Sequence, residues 1–276
     1  MIIAVASGKG GTGKTTVAVA LAQSLSARLL DADVEEPNAH LFLQPVLEQE
    51  EEFFRMVPQV DEKRCSFCGK CKAICRFQAI TVLPNVVLTF PEMCHGCYGC
   101  LEVCPEGCIH EGRTLLGWLY AGKGRGVDLA YGLLKVGEPM ASPLIKALKE
   151  RFLRHEAVNI IDCPPGAACP VLTAVRGADF CLLVTEPTPF GLHDLRQAVR
   201  ALQALNVPLG VILNRAGRPF PELERFLEEN RLPLLMEIPQ DQRIAAAYAQ
   251  GQGLLEVYPH FQTRFEALFQ KIGGRP

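Results

Sequence analysis

The strongest constraint on the fold of this chain is a cysteine pattern, C-x2-C-x2-C-x3-C, that occurs twice. The two runs comprise Cys65, Cys68, Cys71 and Cys75, and Cys94, Cys97, Cys100 and Cys104. Three thiolates at this spacing bind one 4Fe-4S cluster, and the fourth cysteine of each run ligates the cluster of the other run. The sequence therefore predicts two clusters, the first bound by Cys65, Cys68, Cys71 and Cys104 and the second by Cys94, Cys97, Cys100 and Cys75.

Disulfide bonds and zinc sites are the alternatives for these cysteines. Disulfides require an oxidising compartment, but the N-terminal residues MIIAVASGKG have no charged n-region, apolar h-region or cleavage site. We therefore expect a cytoplasmic protein. Zinc would be satisfied by two C-x2-C pairs, which would leave the third and fourth cysteines of each run surplus. Iron–sulfur clusters account for all eight cysteines.

The segment from Val57 to Glu111 resembles a bacterial two-cluster ferredoxin, which implies a small α+β domain. The resemblance includes a strand–turn–strand pattern over residues 80–88. It departs at Arg76, where such ferredoxins usually have proline, and at Cys108, where a small apolar residue is more common. The cysteines outside the two runs are interpreted as structural residues, as most unassigned cysteines are buried: Cys108, Cys163, Cys169 and Cys181. Cys169 has a second interpretation, because it lies seven residues after Asp162, the separation at which the nitrogenase iron protein carries a cluster ligand. A bridging cluster there would need a second cysteine, which the sequence does not identify, so the structural interpretation is preferred.

A second motif, G-x4-G-K-T, follows an apolar strand pattern at the N-terminus and precedes a helical pattern. Glycine backbone N–H groups in such a loop turn toward phosphate, Lys14 reaches the β and γ phosphates, and the Thr15 hydroxyl ligates Mg²⁺. The sequence therefore predicts a site for ATP and Mg²⁺. The candidate nucleotide-binding residues of the loop are Gly8, Gly10, Gly11, Thr12, Gly13, Lys14, Thr15 and Thr16.

The string from Lys9 to Thr15 resembles the deviant Walker A motif of the MinD superfamily, which includes the ParA, Mrp and nitrogenase iron-protein branches. In that family the additional lysine, here Lys9, reaches across a dimer interface to the nucleotide of the partner. The resemblance therefore implies a homodimer bridged by nucleotide, with Lys9 and Lys14 both catalytic.

Further residues match the family in its chain order. Asp33, at the end of a second strand, resembles the switch I aspartate that positions or activates the attacking water. Asp162 ends a buried strand and resembles the Walker B residue that holds Mg²⁺, and Gly166 resembles the switch II glycine that approaches the γ phosphate. Asn214 corresponds to the adenine-reading asparagine and is followed by Arg215, while Ile238 to Asp241 resembles the loop that closes over the base.

These motifs predict a discontinuous domain. Residues 1–56 and 112–276 form a MinD-like P-loop ATPase, interrupted by a two-cluster ferredoxin-like domain at 57–111. Apolar strands alternate with helical patterns, such as those over 143–154, 192–205 and 221–230, and predict an α/β fold with a doubly wound, mostly parallel sheet. At the joints we expect a solvated helix face over Glu48–Glu52 and a hairpin or mobile connection over Gly112–Gly137.

Whole-chain properties restrict the partners. The chain has 28 basic and 30 acidic residues and a formal charge of -2, without a basic block, so nucleic acid is not expected. No apolar run reaches 18 residues, which excludes a spanning segment. The C-terminal stripe from Phe261 to Ile272 is similar to the membrane-targeting tail of MinD, but it has few basic residues on its polar face. We interpret it as a helix packed on the sheet.

Three functions fit this combination. The first is an ATP-gated electron-transfer protein, similar to the nitrogenase iron protein, with a redox partner. The second is an iron–sulfur or metal-cofactor assembly or carrier factor of the Mrp type, with a cluster-accepting partner. The third is a MinD-like regulatory switch that senses redox state. Complete eight-cysteine ligation favours the first, because permanently ligated clusters suit electron transfer better than release.

Overall fold

The computed structural model describes residues 1–217 and 219–274 and divides the chain into two compact units. The larger unit comprises Met1–Glu51, Leu119–Leu133 and Ala141–Pro276, and the smaller comprises Glu52–Trp118 and Leu134–Met140. The predicted insert, 57–111, falls within the smaller unit, which is longer at both ends and includes a second segment. Its identity as an inserted ferredoxin stays a prediction.

Nine strands form one large sheet in the order β11-β10-β9-β1-β8-β2-β7-β6-β3. These strands are β1 (Ile2–Ala6), β2 (Arg28–Asp31), β3 (Val46–Val60), β6 (Ile109–Gly124), β7 (Val127–Leu134), β8 (Asn159–Asp162), β9 (Phe180–Thr185), β10 (Leu209–Ala216) and β11 (Leu234–Pro239). The six neighbouring pairs from β11 to β7 are parallel. The α/β fold with a mostly parallel sheet is confirmed.

Helices follow most of the parallel strands, as expected when crossovers cover both faces of such a sheet. Those of the larger unit are α1 (Lys14–Leu25), α2 (Ala39–Leu43), α5 (Ser142–Phe152), α6 (Cys169–Val175), α7 (Pro189–Gln203), α8 (Pro221–Glu229), α9 (Gln242–Ala249), α10 (Leu254–Val257) and α11 (Phe261–Lys271). The central strands are buried apolar runs: Ile3 and Val5 of β1 and Leu182 of β9 are fully buried. This core holds the carboxyl ends of the strands in fixed positions.

The C-terminal stripe belongs to α11, which packs against α1. Phe261 is 1% exposed and Phe265 is fully buried. The interpretation of this stripe as a packed helix is confirmed. Among the described residues, none of the helices has the length and apolar character needed to cross a membrane.

The two predicted joints have different outcomes. The acidic run Glu48–Glu52 was expected to form a helix face, but it lies in β3, and this prediction was wrong. Alternating side chains of a strand can be solvated as readily as one helix face, so an acidic run does not distinguish the two. The hairpin prediction is confirmed, because β6 and β7 are neighbours joined at Arg125 and Gly126.

The smaller unit contains short elements around its cysteines. Helices α3 (Lys70–Ile74) and α4 (Gly99–Glu102) occupy the middle of the two cysteine runs, and the 3-10 turn Pro91–Met93 precedes the second run. Strands β4 (Ile80–Leu83) and β5 (Val86–Thr89) pair antiparallel, which confirms the predicted strand–turn–strand. The pairing runs from Ile80 with Thr89 to Leu83 with Val86, which leaves a two-residue turn at Pro84 and Asn85.

Candidate functional site

The P-loop connects β1 to α1 at the carboxyl edge of the sheet, where ligands of open α/β folds bind. Gly11 and Gly13 have φ values of 76° and 90°, in the left-handed region that favours glycine. A Cβ atom on Gly13 would lie 2.3 Å from Nδ2 of Asn214. The loop therefore needs glycine at this position both for its backbone conformation and for the close approach of Asn214.

Three predicted site residues meet beside the loop. Strand register places Asp162 next to Val5 of β1 and Asp31 of β2. Lys14 is buried and its Nζ lies 3.9 Å from Oδ2 of Asp33. The parallel sheet thus brings Lys14, Asp33 and Asp162 together from three separate segments of the chain.

Asp162 has the environment of a cation ligand. It is fully buried, and neither carboxylate oxygen has a hydrogen-bond partner among the residues that the structure describes. Burial raises the pKa of this carboxyl, while the charge of Lys14 and a contact with the Thr15 side chain oppose the rise. A buried carboxylate without a partner is unfavourable, and Mg²⁺ prefers carboxylate and hydroxyl oxygen. Asp162, with Thr15 in the first turn of α1, therefore fits the predicted Mg²⁺ site.

The two aspartates at the end of β2, Asp31 as its last residue and Asp33 in the loop that follows, have different roles. Asp31 is fully buried and accepts hydrogen bonds from the backbone N–H groups of Asp33, Asn38 and Ala39 at 2.9–3.1 Å. It therefore holds the loop that carries Asp33. Asp33 stays partly accessible beside Lys14, and burial, with Asp162 nearby, raises its pKa to about 6 although Lys14 lowers it.

Gly166 also lies at this edge of the sheet, but its backbone N–H is already hydrogen-bonded within the chain. Its φ is 100°, and its backbone N–H donates to the carbonyl of Ser7 at 3.0 Å. In this conformation the N–H predicted to approach a γ phosphate is bonded to Ser7, the residue immediately before Gly8 of the P-loop. Contact with phosphate requires this hydrogen bond to break.

A cavity of about 330 Å³ borders the P-loop at Gly11 and Gly13. Its lining includes Gly11, Gly13, Thr16, Asn214, Arg215, Ile238, Pro239, Gln240, Asp241 and Tyr248. The Asn214 side chain donates to the carbonyl of Thr12 at 2.7 Å, and Arg215 donates to that of Gly11 at 3.0 Å. The predicted base-reading asparagine and the predicted loop over the base therefore line one cavity next to the phosphate loop.

The eight cysteines of the two runs line two separate cavities in the smaller unit. The first cavity is lined by Cys65, Cys68, Cys71 and Cys104, together with Cys108. The second is lined by Cys75, Cys94, Cys97 and Cys100. Each cavity thus receives three cysteines from one run and the fourth from the other, which is the distribution that the spacing predicts for two clusters.

The twelve cysteines form no disulfide bonds with one another. Cys163 and Cys181 are buried, as the structural interpretation predicts, but Cys169 is exposed, so burial does not account for it. Within residues 1–217 and 219–274, no group of three His, Cys, Asp or Glu side chains is close enough to hold a single metal ion. Ligands of one tetrahedral zinc converge on a point, with Zn–S distances of about 2.3 Å. A cubane instead has four irons between its cysteine sulfurs, so its ligands surround a volume. Cysteines around a cavity fit the second arrangement.

Residues 3–255 match the family model of the CobQ/CobB/MinD/ParA nucleotide-binding domain. The chain belongs to this family. The matched range includes the cysteine-rich segment, and the family model does not mark this segment as a separate domain. It places the P-loop, the aspartates at the carboxyl ends of β2 and β8, and Asn214 within a nucleotide-binding domain.

Individual relatives agree with the family assignment. The chain is 29% identical to an uncharacterised protein of Methanocaldococcus jannaschii, over 93% of this chain and 92% of that protein. It is 27% identical to an iron–sulfur cluster carrier protein of Aquifex aeolicus, over 94% of this chain and 62% of the carrier. The solved Pyrococcus furiosus cell division ATPase MinD has a TM-score of 0.57 and 22% identity, covering 99% of each chain, and supports the fold.

Glu186 is a residue of this CobQ/CobB/MinD/ParA domain that the sequence reasoning missed. Its carboxylate is mostly buried and lies 2.9 Å from Nζ of Lys9 and 2.8 Å from Nη1 of Arg215. Burial opposes ionisation, but the hydrogen bonds and charges of Lys9 and Arg215 lower the pKa of Glu186. Its position immediately after β9, at the ligand-binding edge, was the signal available in the sequence.

Proposed function

We propose that this protein is an iron–sulfur ATPase that binds and hydrolyses MgATP and uses its nucleotide state to control electron transfer through two 4Fe-4S clusters. The observation that carries the proposal is the distribution of the cysteines. Two cavities are each lined by four of the cysteines that the spacing predicts as cluster ligands, in the crossed arrangement. Family membership supplies the nucleotide-binding domain.

The larger unit would perform the phosphoryl transfer. This reaction depends mainly on positioning and electrostatic stabilisation. The P-loop and Lys14 would bind the β and γ phosphates, and Thr15 and Asp162 would hold Mg²⁺, which neutralises charge that develops on the phosphates. Asp33, next to Lys14 and partly accessible, would orient the attacking water. Asn214 and Arg215 would bind the base side of the nucleotide.

A nucleotide-bridged homodimer belongs to the same proposal. Lys9 would leave Glu186 and contact the nucleotide of a second copy, while Gly166 would leave Ser7 and approach the γ phosphate. The first contact is an ion pair and the second a backbone hydrogen bond, and phosphate oxygens of ATP would replace both. ATP binding would thereby rearrange the segment after Asp162, which is the element we expect to transmit nucleotide state. A redox partner and a cytoplasmic location remain part of the prediction.

Anaerobic purification with iron counting and EPR of the reduced protein tests this function. We expect about eight irons for two 4Fe-4S clusters and a signal or midpoint potential that changes on addition of MgATP. The Lys14→Ala variant is the control, because it should retain the iron but lose the response to nucleotide. An iron count near zero, with about two zinc ions and no reduced-state signal, would indicate zinc sites and contradict the cluster proposal.

Similarity to the iron–sulfur cluster carrier protein of Aquifex aeolicus favours a second candidate, a cluster carrier. A carrier releases its cluster to an apo-protein, whereas an electron-transfer protein retains it. Incubation of the loaded protein with an apo-ferredoxin, with and without MgATP, separates the two functions. Cluster loss that depends on ATP, without a shift in potential, would favour the carrier.

A further inference from the structure

Cys108 is a fifth cysteine at the first cysteine-lined cavity, outside the two predicted ligand runs. It lies immediately before β6 and is 1% exposed. Its Sγ lies 3.5 Å from Sγ of Cys104, and it lines the same cavity as Cys65, Cys68, Cys71 and Cys104. In the sequence, this residue departs from the ferredoxin pattern, in which a small apolar residue is more common at this position.

The chemistry of the pair sets the direction of the contact. A cysteine bound to iron is a thiolate and has no proton to donate. Cys104 belongs to the predicted ligand set and Cys108 does not, so only the Cys108 thiol is left to donate in the loaded protein. An S–H group is a weak donor, but at 1% exposure water does not compete with this contact.

The second cavity provides an internal comparison. Cys75 corresponds to Cys104 as the fourth cysteine of its run, and Ala79 corresponds to Cys108 four residues later. Ala79 is 3% exposed and precedes β4 as Cys108 precedes β6, and its backbone N–H donates to Sγ of Cys75 at 3.3 Å. The two sites therefore have equivalent backbones at this point but differ by one thiol.

We propose that the Cys108 thiol donates a hydrogen bond to the Cys104 sulfur and raises the reduction potential of the cluster bound at the first cavity. Hydrogen bonds to cluster sulfurs help to set these potentials. A donor stabilises the additional negative charge of the reduced cluster, so its loss lowers the potential. This inference rests on the proposed function, because it requires that the first cavity binds a cluster.

Redox titration of the purified protein, followed by EPR, tests the inference with three variants. Cys108→Ala and Cys108→Val both remove the donor, and valine avoids leaving a space. Cys108→Ser retains a donor. We expect one of the two midpoint potentials to fall in the alanine and valine variants, and both midpoints to stay at the wild-type values in the serine variant.

The inference is overturned if neither midpoint falls in the donor-free variants, or if serine shifts the midpoint as much as alanine. If the donor-free variants do not retain their iron, Ala79→Cys decides. It adds the missing thiol at the second site, where a rise in one midpoint supports the inference and no change overturns it. Failure of the proposed function is distinct, because wild-type protein would then lack about eight irons.

Discussion

At the residue scale, the two aspartates at the carboxyl end of β2 have separate tasks. Asp31 accepts three backbone N–H groups and is fully buried, while Asp33 stays next to Lys14. The motif in the sequence offers two carboxylates in the same pattern. Burial and hydrogen bonding decide that Asp31 is structural and that Asp33 is the one available to water.

Asp33 predicts a pH dependence for ATP hydrolysis. Burial, together with Asp162 and neighbouring acids, raises its pKa to about 6, while Lys14 lowers it. The carboxylate must be ionised to orient water, so kcat should rise with pH through this value. Asp33→Asn should retain ATP binding but lose about 10²-fold or more in kcat, in the range for a positioned acid–base group. Steady-state rates between pH 5 and pH 8 check the profile.

A kcat for Asp33→Asn near that of the wild type would show that another group orients the water. Asp61→Asn is a matched control, because this carboxylate lies in the smaller unit, outside the nucleotide site. It should leave both the rate and the pH profile unchanged.

The pairing of Lys9 with Glu186 predicts a cost for dimer formation. Lys9 must leave a carboxylate 2.9 Å away before it can reach the nucleotide of a partner. Removing the carboxylate with Glu186→Gln should therefore strengthen ATP-dependent dimerisation about fivefold, which corresponds to ~1 kcal/mol for a partly exposed pair. Sedimentation velocity with MgATP measures the change, and Glu229→Gln, an exposed carboxylate on α8, controls for net charge. A weaker dimer in Glu186→Gln would contradict this role.

At the element scale, the P-loop depends on its close contact with β10. Gly13 combines a φ of 90° with a Cβ position 2.3 Å from Asn214. Gly13→Ala should lower the free energy of unfolding by at least ~1 kcal/mol for the left-handed backbone alone. It should also weaken ATP binding by displacing Asn214.

Gly10→Ala is the matched control for the loop, since no atom lies within 4 Å of its Cβ position. Thermal unfolding without nucleotide compares the two variants. Equal melting temperatures for Gly13→Ala and the wild type would show that the loop adapts without strain.

Helix α11 is a core element of the larger unit. Phe265 is fully buried in the cluster that also contains Leu21 of α1. Phe265→Ala should lower the free energy of unfolding by about 3–5 kcal/mol. Gln270→Ala, on the exposed side of the same helix, should change it by no more than about 0.5 kcal/mol. Urea denaturation measures both, and a small effect of Phe265→Ala would contradict the packed position of α11.

At the scale of the whole molecule, the division into two compact units predicts that the smaller unit can unfold while the larger unit still binds ATP. Removal of iron with a chelator under reducing conditions should unfold the smaller unit, because its apolar groups are few and its short helices α3 and α4 are flanked by predicted ligands. ATP binding by the larger unit should be retained. Calorimetry with and without iron should show that only one transition moves. If chelation also abolishes ATP binding, the two units do not fold independently.

Several features were predictable from the sequence because they depend on local spacing. The cysteine runs, the order from strand to P-loop to helix, and the helices α5, α7 and α8 follow from residues close together in the chain. Because these features depend on residues that are close in the sequence, periodicity and motif spacing are sufficient to predict them. The strand character of Glu48–Glu52 was not predictable in this way, because it depends on pairing within a sheet.

The sequence by itself determined the α/β class, the P-loop between a strand and a helix, and the spacing of the two cysteine runs from which two clusters are predicted. Only the tertiary structure decided which groups meet. It paired Lys9 with Glu186, buried the Asp162 carboxylate without a hydrogen-bond partner among the described residues, and brought Cys108 to Cys104. The physical reason is that parallel strands and cavities unite residues from distant segments, and burial then sets the charge and hydrogen bonding of each group.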